Sequence, residues 1–160
     1  LALSALAPRR GELLWDIGAG SGSIGIEWLL SDPTTQAIGF EADPVRAARG
    51  RENAARLGVD RLQITEARAP DGLAGQALPD AVFIGGGLSQ DLLQVLFATL
   101  RKGTRLVAYA VTLESEAVLS QWHAEKGGTS LRIELAHSQA LGTRRGWKSA
   151  YPMVQWSVTL

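Results

Sequence analysis

From Leu13 to Leu30 the chain reads LLWDIGAGSGSIGIEWLL: an apolar run broken by one acid, a turn with glycine at every second position, and the start of a helix. No other stretch constrains the fold as much. Leu13, Leu14, Trp15 and Ile17 are apolar on both faces, which is the pattern of a parallel strand covered by helices on each side. Asp16 stands near the strand's carboxyl end, where open α/β sheets place their ligands. Gly18, Gly20 and Gly22 allow positive φ and close approach of a bound molecule. The helix expected over about Ser23 to Leu30, with Ile24, Trp28 and Leu29 toward the sheet, presents free N–H groups and a positive dipole end to the same place. The stretch is expected to bind a nucleotide. The plainer alternative is a glycine-rich turn without a ligand.

Strand and helix signals alternate beyond it. Gln36 to Glu41 reads as a second strand, and Pro44 to Leu57 as a helix with Asp43 as N-cap, Pro44 at its first position and Gly58 after its end. Strands are expected at Arg61 to Glu66, Asp80 to Ile84 and Thr104 to Val111, with helices at Gln90 to Leu100 and about Glu114 to Lys126. Ser130 to His137 and Tyr151 to Leu160 then read as two strands joined by a long polar loop. Alternation predicts a doubly wound parallel sheet, and two final strands with no helix between them predict an antiparallel edge. With 160 residues, 46% of them hydrophobic, one domain with a sizeable core is expected.

Two cofactor chemistries use such a turn. Gly20-x-Gly22-x-x-Gly25 matches the dinucleotide fingerprint, but its first glycine should directly follow the strand, and here four residues intervene, Asp16 to Ala19. Asp16-x-Gly18-x-Gly20-x-Gly22 resembles motif I of class I S-adenosylmethionine (SAM) methyltransferases, whose seven-stranded sheet ends in an antiparallel strand. Glu41, closing the second strand, can accept hydrogen bonds from both hydroxyls of a nucleoside ribose; its plainer role is that of an acid at a helix start. In EARAPDGL, Glu66 to Leu73, Ala69 and Pro70 can lie against an adenine ring, or simply form a short connection.

The segments PDAVFIGGGLSQ (Pro79 to Gln90), EARAPDGL, LVAYAVTLES and HSQALGTRRGWKSAYPMVQW, together with the glycine turn, extend the likeness over the whole chain. It resembles the SAM-dependent methyltransferase domain of cobalamin biosynthesis. That family decarboxylates precorrin-6B at C12 and methylates C15, as a free protein or as the C-terminal half of a longer C5,15-methyltransferase. The resemblance implies SAM as cofactor, held by Asp16 and by the run Gly18, Ala19, Gly20, Ser21 and Gly22, with Glu41 on its ribose and Ala69 on its adenine. It implies that Gly85 and Gly86 form the floor beside the transferred methyl; the ordinary alternative is a tight turn after a strand. Many N-directed methyltransferases carry an Asn/Asp-Pro-Pro-aromatic motif there, whereas this chain has Ile84-Gly85-Gly86-Gly87, which leaves room for a bulky ring. The resemblance also implies a homo-oligomer, a tetramer, and fusion to an N-terminal tetrapyrrole methylase domain. A chain that starts at Leu1, inside what reads as a helix, fits a fragment of such a protein.

Little side-chain chemistry is required. An electron-rich tetrapyrrole carbon is already nucleophilic, so alignment and exclusion of water are the main tasks. No Ser-His-Asp set, metal-ligand cluster or convincing acid/base pair stands out, and no metal is expected. The two glycines of the floor are the only candidates beside the reacting centre.

A polycarboxylate substrate needs cations. After Glu134 the chain has no acid, yet it carries Arg144, Arg145 and Lys148 around Trp147, with Tyr151 beyond. Guanidinium forks pair with carboxylates and an indole can stack on a macrocycle, so Arg144, Arg145, Trp147 and Lys148 are expected to bind the substrate. The alternative is a solvated loop or a subunit contact. Lys+Arg and Asp+Glu balance at 16 each, which predicts neither nucleic acid nor a membrane surface as partner. Absence of cysteine and of a membrane-length apolar run fits a cytoplasmic setting. Two other functions stay open at this point: a methyltransferase acting on RNA or a small metabolite, and a non-catalytic nucleotide-binding module.

Overall fold

In the computed structural model, which describes residues 1–160, the run that opens on Leu13 is strand β1 (Leu13–Ile17), in the middle of a seven-stranded sheet. The order across the sheet is β3 (Gln63–Thr65), β2 (Gln36–Phe40), β1, β4 (Ala81–Ile84), β5 (Arg105–Ala110), β9 (Met153–Thr159) and β6 (Thr129–Ile133). β1 to β5 pair in parallel, and β9 runs antiparallel to both of its neighbours. Chain order reverses between β1 and β4, which opens a crevice at their carboxyl ends.

The period of two along each strand divides the apolar residues between two cores. Trp15, Ile17, Val82, Ile84, Leu106 and Ala108 point to one face, where α4 (Gln90–Thr99) and α5 (Leu113–Lys126) cover them with Leu92, Leu96, Leu119 and Trp122. Leu14, Ala81, Phe83 and Val107 point to the other, under α1 (Ala2–Leu6), α2 (Ser23–Ser31) and α3 (Pro44–Arg56). On α2 Trp28 and Leu29 are buried as expected and Ile24 packs half-buried against the same core, with Ile26 buried beside them. Asp43 caps α3 as expected, its Oδ1 accepting from the Val45 and Arg46 amides.

The antiparallel strand is not at the edge. β9 lies between β5 and β6, and the rims are β3 and β6. Burial explains the order: Val154 and Trp156 of β9 are 7% and 0% exposed, and burying such a side chain fully is worth about 1.5–3 kcal/mol. TSLRI in β6 is exposed along four of its five positions and loses little at the rim.

The long polar loop expected before β9 is instead a hairpin, β7 (Ala136–Leu141) and β8 (Arg144–Ser149), forming a separate two-stranded sheet. Its two-residue turn is Gly142-Thr143, with Gly142 at φ 61°. Glycine at the first central position of a two-residue loop is the recognised signal for such a turn, and polarity hid it here because neither face of the hairpin is apolar. Ile133 pairs with Met153 and Ala110 with Val154, so the hairpin leaves the sheet at the carboxyl end of the parallel strands. That is also the end that carries the glycine turn.

Candidate functional site

The crevice between β1, β2 and β4 contains a cavity of about 530 Å³. Its base is a crossing of two backbones. Gly18, at φ 71°, meets Gly86 so closely that a Cβ on Gly18 would lie 2.6 Å from the Gly86 nitrogen. Only glycine fits there. The Gly18 and Ala19 amides both donate to the Phe40 carbonyl, at 2.9 and 3.1 Å, and the Gly85 amide donates to the Ile17 carbonyl at 2.8 Å. The three strand ends are thus tied into one unit, with no side chain rising from Gly18, Gly85 or Gly86 into the space above.

Glu41 stands just past the end of β2 and is 3% exposed. Its Oε2 accepts from the Gly20 amide and its Oε1 from the Asp43 amide, both at 2.9 Å, while Arg46 Nη2 lies 3.0 Å from Oε1. A carboxylate has about four lone-pair positions, so these contacts orient Glu41 and still leave acceptor capacity toward the cavity that it lines. Ala69 lies half-buried on the wall, packed against the core. A carboxylate with remaining capacity, a backbone cradle that would reject a Cβ, and an Ala-lined wall suit an adenosine-bearing cofactor such as SAM.

Other parts of the turn act from behind the cavity. Asp16 is 1% exposed and does not line the cavity, and its Oδ2 accepts from the Gly25 amide at 2.9 Å. It fixes the first turn of α2. Burial pushes its carboxyl up to about 7; the Gly25 hydrogen bond opposes that shift and the charge of Glu41 adds to it. Ala19 is buried and packs toward Gly39, Gly20 is held by Glu41, the Ser21 carbonyl accepts from Asn53 Nδ2 at 3.0 Å, and Gly22 faces Leu62 and Ile26. None of these four lines the cavity.

Arg46 and Arg68 line it instead, with Phe40, Leu88 and Ser89. The sequence signal for Arg46 is legible after the fact. It is a cation in the first turn of α3, where the helix dipole favours an acid, so its placement answers to Glu41 rather than to the helix. Ser89 caps α4, its hydroxyl accepting from the Leu92 amide at 3.1 Å.

None of Arg144, Arg145, Trp147 and Lys148 lines the cavity, and they do not form one patch. They alternate along β8. Arg145 and Trp147 share one face with Ser138, whose Oγ accepts from Arg145 Nε at 2.9 Å; Arg144 and Lys148 share the other with His137 and Leu141. Trp147 is 78% exposed.

A family model described as a precorrin methyltransferase domain matches residues 1–160. A precorrin-6Y C(5,15)-methyltransferase [decarboxylating] from a Sinorhizobium species is 56% identical over 160 residues, which is 99% of this chain and 39% of that protein. The cobalt-precorrin-6B C(15)-methyltransferase (decarboxylating) of Salmonella typhimurium is 36% identical over 117 residues, 72% of this chain and 60% of its own length. Among solved structures, the C-terminal domain of precorrin-6Y C5,15-methyltransferase from Rhodobacter capsulatus superposes with a TM-score of 0.95 at 49% identity, covering 99% of this chain and 85% of that one. The chain spans about two fifths of the first of these relatives. The fold is that of the class I methyltransferases.

Proposed function

The chain belongs to the family of precorrin methyltransferase domains, and from that premise we propose that it uses SAM to methylate C15 of precorrin-6B and removes carbon dioxide from the C12 acetate arm. The observation that carries this reading is the bare floor formed by Gly18, Gly85 and Gly86 at the base of a cavity lined by Glu41 and two arginines. A floor without side chains admits a wide ring, and the cations suit its carboxylates.

Glu41 binds the ribose hydroxyls, Ala69 lies along the adenine, and the Gly18 backbone at the floor, held in place by the turn that runs on to Gly22, positions the amino-acid portion of the cofactor. When bound, SAM supplies an electrophilic methyl group on a sulfonium. The chain's own contribution is to hold both molecules in line and to keep water out. Decarboxylation breaks the C–C bond of the arm and draws its electron pair into the conjugated pyrrole system; return of that pair to the methylene carbon together with a proton from water leaves a methyl group, and the protein's part is to orient the departing carboxylate. Arg145 and Trp147, on one face of the hairpin, offer a guanidinium and an indole to the macrocycle, with Arg144 and Lys148 adding charge from the other face.

A homo-oligomer, read as a tetramer, is part of the proposal, as is an N-terminal tetrapyrrole methylase domain in the full-length protein and a cytoplasmic location. No helix is long and apolar enough to cross a membrane. β9 is internal to the sheet and offers no free edge for assembly. The hairpin supports it instead, away from the Arg145 and Trp147 face: Leu141 and Tyr151 are 68% and 89% exposed, and a two-stranded hairpin alone is marginally stable.

The test is incubation with precorrin-6B and SAM, read by mass spectrometry, since loss of carbon dioxide and gain of methyl shift the mass in opposite directions by different amounts. A product carrying both changes is expected. An unmodified tetrapyrrole would reject the proposal.

A further inference from the structure

The charges that line the cavity do not balance. One carboxylate, Glu41, and two guanidiniums, Arg46 and Arg68, border it. Arg46 is committed to Glu41. Arg68 forms no ion pair with any acid of the chain.

Arg68 nevertheless starts from a fixed point. The Ala67 amide donates to the Thr65 carbonyl at 3.0 Å and the Gly72 amide to the Arg68 carbonyl at 2.9 Å. A Cβ on Gly72 would sit 2.5 Å from that of Ala67, so the Ala67 methyl group packs directly on Gly72. The loop that carries Arg68 is held by its own hydrogen bonds on the cavity wall.

A free guanidinium is the wrong charge for the cofactor alone. SAM carries a sulfonium and is net positive, whereas its demethylated product, S-adenosylhomocysteine, is neutral. An extra cation beside such a molecule repels the donor more than the product, an arrangement that becomes favourable once an anion occupies the same cavity. We propose that Arg68 binds a carboxylate of the second substrate and thereby couples the two sites: the neutralised guanidinium no longer opposes the sulfonium, so substrate and donor favour each other's binding. The inference rests on the reading of this cavity as one shared by SAM and a polycarboxylate tetrapyrrole.

Arg68→Gln and Arg68→Lys test it by three measurements. Calorimetry gives the Kd of SAM and of S-adenosylhomocysteine, fluorescence titration gives the Kd of uroporphyrin as a polycarboxylate probe, and turnover gives KM for precorrin-6B. In Arg68→Gln, uroporphyrin affinity and KM are expected to worsen by about tenfold, as for loss of a charge-assisted pair. S-Adenosylhomocysteine affinity stays unchanged and SAM affinity is unchanged or tighter by up to about threefold. Arg68→Lys recovers part of the loss, since it keeps the charge without the fork.

Equal weakening of SAM and its product would overturn the proposal, because the guanidinium would then serve the cofactor. So would unchanged uroporphyrin binding in Arg68→Gln, or uroporphyrin binding to neither protein. Failure of the unsubstituted protein to convert precorrin-6B rejects the proposed activity, while the uroporphyrin titration still decides Arg68.

Discussion

Gly18 and Gly86 meet at the floor of the cavity, yet substitution of the two by alanine should have opposite consequences. At Gly18 a methyl group meets backbone, 2.6 Å from the Gly86 nitrogen and 2.7 Å from its Cα, and the residue sits at φ 71°. A left-handed alanine costs roughly 1–2 kcal/mol, and overpacking that only a backbone shift can relieve adds about 1–3 kcal/mol. Gly18→Ala is therefore expected to destabilise the protein by about 2–5 kcal/mol. With about 2–4 °C lost per kcal/mol at this chain length, the Tm falls by roughly 4–20 °C. At Gly86 the only atom within 4 Å of an added Cβ is the Gly18 Cα, at 3.8 Å, and the remaining direction is the cavity itself. Gly86→Ala should keep the Tm within about 2 °C of the unsubstituted protein, since small changes away from packed atoms stay within ±0.5 kcal/mol, while ligand binding weakens. Thermal and urea unfolding, with calorimetric titration of SAM on each variant, measure both halves. A Gly18→Ala protein as stable as its parent, or a Gly86→Ala protein as unstable as Gly18→Ala, would refute the geometry of the crossing.

Glu41→Gln keeps the shape of the side chain but removes its charge, and hydrogen bonds to charged groups are worth about 1.5–3 kcal/mol; calorimetry is expected to show SAM binding weakened by tenfold or more. Truncation to alanine is the poorer test, because it also leaves the Gly20 and Asp43 amides without their acceptor. Asp16 gives a pH signature: its carboxyl, raised to about 7 by burial, holds a proton in the folded protein that the unfolded chain releases. Wild-type stability should thus fall as pH rises from about 4 through 7, by a few kcal/mol at most. Asp16→Asn should gain on the wild type between pH 5 and pH 8 in urea unfolding; an equal difference at both would place the titration elsewhere. Arg144→Ala combined with Arg145→Ala should raise the apparent constant for the tetrapyrrole about tenfold, more so at low salt, with SAM affinity unchanged. Equal losses for both ligands would assign the hairpin to assembly or folding.

Much of this protein is legible in short windows of sequence because the forces that set those parts are local. Period-two apolar strands, the Asp43 cap and the alternating glycines each follow from backbone geometry within a few residues. The doubly wound sheet and the turn that faces its ligand follow from them. The position of Glu41 at the mouth is legible for the same reason, since it follows the last residue of a strand whose end is already defined.

The rest depends on which distant atoms meet. That Gly18 must be glycine because of Gly86, that Asp16 is bonded to the Gly25 amide, and that Arg46 is held by Glu41 are all contacts across elements. β9 enters the sheet ahead of β6 because its side chains are the more apolar, a competition for burial that chain order does not reveal. Alternation along β8 then divides a sequence cluster of cations between two faces, leaving Arg68, remote from that cluster in the chain, as the unpaired cation on the cavity wall. Tertiary structure decided these points because burial and charge pairing are settled by proximity in space, and a linear pattern carries only the local part of that information.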